Sequence, residues 1–118
     1  MSATKLDQFV VNRMQRALAG DDEALNGMVL ELRPLALELI PRPAVQGVPV
    51  HVVTASTNEA VIALHEALIL WLPDREAFVV CLERRVVQRI RALFQRLQDL
   101  SDQVTGRSLF PSPEALCD

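Results

Sequence analysis

A long apolar stripe near the end of the chain constrains the fold most. After Asp74, the residues Phe78, Val79, Leu82, Val86, Ile90, Leu93, Leu97 and Leu100 recur mostly at intervals of three or four. That period gathers them on one side of an α-helix and would scatter them over both faces of a strand. A helix with such a stripe must bury it, so the remaining segments have to supply matching apolar surfaces.

The earlier segments are helical in pattern. Residues 5–19 carry Leu6, Phe9, Val10, Met14, Ala17 and Leu18 at helical spacing, with Gly20 as a natural stop. Asp21 and Asp22 are placed to cap a second helix, whose positions Ala24, Leu25, Met28, Val29, Leu32, Leu35, Ala36 and Leu39 keep the period. Pro34 falls inside it and is expected to kink or split it, because its ring clashes with the carbonyl four residues back. Residues 41–56, PRPAVQGVPVHVVTAS, lose the period and predict a long connection with a short edge strand at 50–53. Ser56 and Glu59 then have capping-box spacing ahead of a third helix through Val61, Ile62, Leu64, Leu68, Ile69, Trp71 and Leu72, closed by Pro73. Asp74 is expected to open the fourth helix. From Ser101 the chain gains Gly, Pro and Ser and reads as a tail over 101–118, docked through Leu109 and Phe110.

The expected fold class is therefore all-α: a four-helix, bundle-like domain over residues 1–100, with a Pro/Val-rich connection between helices two and three. The length of 118 residues suits one such domain. Aromatic residues at 4% against 50% hydrophobic residues give a core of Leu, Val, Ile and Ala, which favours helices over a β-sandwich. Cys81 and Cys117 have neither a CxxC partner nor nearby histidines, which argues against a disulfide framework or a zinc site. Met1 leads into polar residues rather than a secretory signal. The longest nearly apolar run, 60–72, is interrupted by His65 and Glu66 and is too short to span a bilayer. The expectation is a cytoplasmic protein without membrane contact.

Three stretches carry a family likeness. RALAGDDEALNGMVLELRPLALEL at 16–39 joins a small-Gly-Asp turn to an Ala-Leu pattern and an Arg-Pro-Leu kink; LHEALILWL at 64–72 runs from an acidic residue to a tryptophan; DREAFVVCLERRVVQRIRALFQR at 74–96 places a Phe ahead of an Arg-rich apolar helix. Together, over about residues 13–97, they resemble the core-binding helical domain of bacterial RNA polymerase sigma factors of the extracytoplasmic-function type. The resemblance implies a transcription regulatory module that binds RNA polymerase or another transcription protein. The chain also departs from the family. Where the family's third helix opens on an acidic cluster that grips the polymerase, this chain has Glu59, Ala60, Val61 and Ile62. Where the last helix carries aromatics that stack on promoter bases, it has Val79, Val80 and Cys81. The sequence stops about where a linker to a helix-turn-helix domain would begin, so the expectation is a degenerate relative lacking the second DNA-binding domain.

Arginine supplies the main local charge excess in a chain of net charge −3. At 100° per residue, Arg85, Arg89 and Arg96 line one flank of the last stripe, while Arg84 and Arg91 point nearly opposite the core, so both groups are expected to reach solvent. Guanidiniums spaced this way suit an acidic partner or phosphates, with Arg85, Arg89 and Arg96 as first contacts and Arg84 and Arg91 as second. The plainer alternative is solubility, with pairing to Glu83 or to acids elsewhere. A pI near 5.3 favours that alternative, since nucleic-acid-binding domains usually lie above about 9. DNA is accordingly the weaker expected partner.

The other candidates have bland readings. His65 and Glu66 are adjacent and diverge by about 100° on a helix, and His51 has no visible partner. Asp21, Asp22 and Glu23 suit a helix N-terminus. Trp71 is expected in the core, and Cys81 as a small buried hydrophobe. No phosphate loop, nucleophile elbow or converging polar cluster is visible, so neither enzymatic activity nor a cofactor or metal is expected. The third helix is apolar nearly all round, which implies a partner surface or a homodimer. The alternative function is a protein-protein adaptor or homodimeric bundle without a nucleic-acid role.

Overall fold

The computed structural model describes residues 3–105 and Leu116. They form four helices, α1 (Ala3–Leu18), α2 (Asp22–Glu38), α3 (Val50–Leu70) and α4 (Phe78–Thr105), with one 3-10 turn at Arg42–Ala44 between α2 and α3. Among the described residues there is no strand. The architecture is all-helical, as the apolar periods require.

A left-handed glycine and an aspartate make the corner between α1 and α2. Gly20 has φ 106°, a conformation that strains any residue with a Cβ. Asp21 then accepts the Ala24 N–H at 3.2 Å through Oδ1, while Arg16 Nη2 donates to its Oδ2 at 3.2 Å. One carboxylate thus caps α2 and ties back to α1. Pro34 does not split α2, which runs on to Glu38. Its missing N–H frees only the carbonyl of Leu30, and both residues are exposed, so water can satisfy that oxygen.

The connection over 41–56 departs from the sequence expectation. In place of an edge strand at 50–53, α3 begins at Val50, directly after Pro49 with φ −60° and ψ 153°. The buried set Val52, Ser56, Ala60, Ala63, Leu64, Ala67 and Leu68 keeps a helical interval from its first member. Burial on that face outweighs the strand preference of the valine run. Ser56 is consequently no cap. It lies fully buried in mid-helix, and its hydroxyl donates to the Ala44 carbonyl at 3.4 Å, fastening the 3-10 turn to α3. Thr54 and Thr57 donate to the carbonyls of Val50 and Val53, so their hydroxyls are satisfied within the helix.

The longest helix is capped from a distance. α4 starts at Phe78 rather than at Asp74, and the Phe78 N–H donates to Asp7 Oδ1 of α1 at 2.9 Å. Asp74 is exposed in the intervening loop. Trp71 closes that loop: its ring meets Phe78 edge-on with centroids 5.3 Å apart, and Nε1 donates to the Glu76 carbonyl at 2.8 Å. Trp71 is thus a core anchor, and Cys81 is buried beside the same helix face. At its other end α4 continues to Thr105, with Ser101 buried, and Leu116 packs into the core. Leu109, Phe110 and Cys117 lie outside the described residues.

The Asp7 contact makes a specific prediction. Asp7→Ala is expected to lower stability in urea denaturation by about 1 kcal/mol, the usual cost of losing a helix cap. Asp74→Ala should change it by less than about 0.5 kcal/mol, as an exposed loop substitution does. Equal losses in the two variants would move the cap back to Asp74.

Candidate functional site

The five arginines singled out by sequence lie on α4 and take three different roles. Glu59 and Glu66 sit seven residues apart on α3, which puts them on one side of that helix, facing α4. Arg89 bridges them: Nε donates to Glu59 Oε2 at 2.7 Å and Nη1 to Glu66 Oε2 at 3.2 Å. Arg96 adds a longer ion pair, with Nη2 3.6 Å from Glu59 Oε1. Arg84 turns the other way and grips the Glu76 carboxylate with both terminal nitrogens, Nη2 lying 2.6 Å from Oε1. Arg85 and Arg91 have no ion pair within 4 Å among the described residues, and the Nε of each is buried without a hydrogen-bond partner.

All five reach solvent to some degree, and Arg84, Arg89 and Arg96 pair with acids outside their own helix, as the plainer alternative allowed. Arg84 and Arg96 are exposed, whereas Arg85, Arg89 and Arg91 are only half-exposed. The flank that sequence assigns to Arg85, Arg89 and Arg96 does converge, on a groove of about 260 Å³ between α3 and α4 that also includes Glu59, Glu66 and Gln88. Arg84 and Arg91 lie outside its lining. Sequence reasoning missed Glu59 and Glu66 as partners. The available signal was the equal spacing of Glu59 to Glu66 and Arg89 to Arg96, seven residues in each helix.

Arg84 holds the Glu76 carboxyl below the ordinary carboxylate range, chiefly by donating hydrogen bonds to it, with Arg85 adding a smaller through-space effect. A carboxyl shifted downward by folding contributes stability above its unfolded pKa and loses that contribution as pH falls through its folded value.

A second groove, of about 240 Å³, lies between α1 and the end of α3. Val11, Met14, Leu18, Ile69 and Pro73 line it, with Leu18 83% and Ile69 69% exposed. Leu70 and Leu72 are also exposed beside it in sequence. The apolar surplus expected on the third helix therefore exists mainly at its C-terminal end.

The histidines stand apart from both grooves' linings. His65 is exposed, and its Nδ1 lies 2.8 Å from the Val61 carbonyl of its own helix; His51 is exposed in the first turn of α3. Among the described residues, no group of three or more His, Cys, Asp or Glu is placed to hold a metal ion. Nor is any described helix long and apolar enough to cross a membrane. No protein-family model, curated protein or solved structure matches the chain.

The Glu76 pair is checked by titration. In carboxyl-resolved NMR, Arg84→Gln should raise the Glu76 midpoint toward the ordinary carboxylate range. A Glu76 midpoint that stays in place would show that Arg84 does not set it.

Proposed function

We propose that this chain is a helical protein-interaction module of transcription, similar in role to the core-binding domain of sigma factors. It binds RNA polymerase or a regulator of it, in the bacterial cytoplasm and without catalysing a reaction. The observation that carries the interaction reading is the exposed apolar groove of α1 and α3. Leu18 and Ile69 are left open beside Met14 and Val11 in one groove, an apolar surface that a partner could cover. The transcriptional role rests on the sequence resemblance alone.

Nucleic acid is the weaker partner. A phosphate backbone needs several cations free to displace counterions, and here the middle of the arginine row is neutralised by Glu59 and Glu66. Protein contact therefore ranks ahead of DNA contact for Arg85, Arg89 and Arg96, with Arg84 and Arg91 secondary. The same apolar groove also favours the second reading, a homodimeric bundle or adaptor in which a second copy covers Ile69 and Leu18.

Affinity purification of the tagged chain, followed by mass spectrometry, separates the two. The transcription reading expects polymerase subunits with the wild-type chain, and their recovery to fall at least about tenfold with Ile69→Glu, a loss of roughly 1.4 kcal/mol in binding. The variant should keep its helical circular dichroism, because Ile69 is outside the core. Recovery of no polymerase, together with a concentration-dependent dimer that Ile69→Glu dissociates, would establish the homodimer instead.

A further inference from the structure

The groove between α3 and α4 has one guanidinium with no carboxylate of its own, and from this we infer that it is a receptor for a single acidic side chain of a partner protein, anchored on Arg85. The inference rests on the protein-interaction reading only in drawing its carboxylate from a protein.

Three arginines and two glutamates line the groove, so its formal charge is three positive less two negative, a surplus of one. That surplus has an address. Arg89 is engaged by both glutamates, and Arg96 meets Glu59, whereas Arg85 has no ion pair among the described residues. Its Nε is already withdrawn from solvent without a hydrogen-bond partner, and its only charge interaction noted above is the through-space effect on Glu76, which Arg84 holds. Because that Nε is shielded, a ligand would meet the rest of the half-exposed guanidinium, whose charge no carboxylate of the groove engages. Gln88 adds an amide to the same lining.

Charge balance and size select the ligand. One carboxylate cancels the surplus, while a nucleic-acid strand would carry further phosphates past the fixed carboxylates of Glu59 and Glu66. The groove, about 260 Å³ and open to solvent, has room for one such side chain. The planar fork of arginine matches a planar carboxylate, as Arg84 shows on Glu76 outside the groove, while within it Arg89 makes one hydrogen bond to each of two carboxylates. This polar site is distinct from the apolar groove of α1 and α3, with no lining residue shared between them.

The test follows the arginine Nε–H signals of the intact ¹⁵N-labelled chain by NMR during titration with acetyl-Ala-Glu-Ala-amide, its Gln counterpart and inorganic phosphate. The Glu peptide should shift the Arg85 signal saturably, with a Kd in about the millimolar range, and the Gln peptide should not. Arg85→Gln should weaken the Glu peptide at least about tenfold, and Arg33→Gln, on the exposed surface of α2, by less than about twofold. The wild-type Arg85 signal decides the matter even if Arg85→Gln fails to fold. An unmoved Arg85 signal, an equal response to the Gln peptide, or tighter binding of phosphate would each overturn the carboxylate site. If Arg85 is unmoved while Ile69→Glu still abolishes partner recovery, the carboxylate site falls and the interaction module stands. A saturable Arg85 shift with no partner recovered supports the site and counts against the module.

Discussion

The packing of α3 on α4 determines most of what this chain can do. The inward side of α3 mixes the small groups Ser56, Ala60, Ala63 and Ala67 with Val52, Leu64 and Leu68, all of them buried. α4 brings Cys81, Leu82, Val86, Ile90 and Phe94 to the same core. Beside that contact, Arg89 of α4 reaches Glu59 and Glu66 of α3, so the ion-pair clasp lies at the edge of the apolar packing. Full burial of a Leu or Phe stabilises by about 1.5–3 kcal/mol, whereas a partly exposed ion pair contributes up to about 1 kcal/mol, so the apolar contact dominates stability. What the clasp adds is a polar tie in the observed register, where Arg89 meets both glutamates.

That register has functional consequences. With Arg89 engaged by Glu59 and Glu66, α4 presents no continuous row of unpaired cations among the described residues. The outward potential divides between two separate places, the polar groove with its unmatched Arg85 and the apolar groove around Leu18 and Ile69. A partner that used both would combine a charged anchor with apolar burial, the mixture that concentrates binding energy in protein interfaces.

The sequence exposes some of this more readily than the rest, for physical reasons. Four apolar periods, Gly20 and Asp21 are local signals, and each corresponds to a structural feature; the core positions of Trp71 and Cys81 follow from their place in those periods. Residues 50–53 mislead because a valine run favours a strand by propensity, while the burial that makes it helical depends on the rest of the fold. Ser56 and Glu59 have the spacing of a cap but stand in mid-helix, so their side chains serve Ala44 and Arg89 instead. The Asp7 cap on Phe78 spans 71 positions and leaves no local trace. The arginine flank was legible as geometry from the helical period, and its neutralisation was not, since that depends on which face of α3 lies opposite.

The most direct test of the clasp is a double-mutant cycle on Glu59→Gln and Arg89→Gln, measured by urea denaturation at low salt and again near 1 M NaCl. A coupling of about 1 kcal/mol is expected at low salt, the upper end for partly exposed pairs, shrinking as salt screens it. Strictly additive losses at low salt, with no coupling, would contradict it and return Arg89 to solvent as a free contact residue.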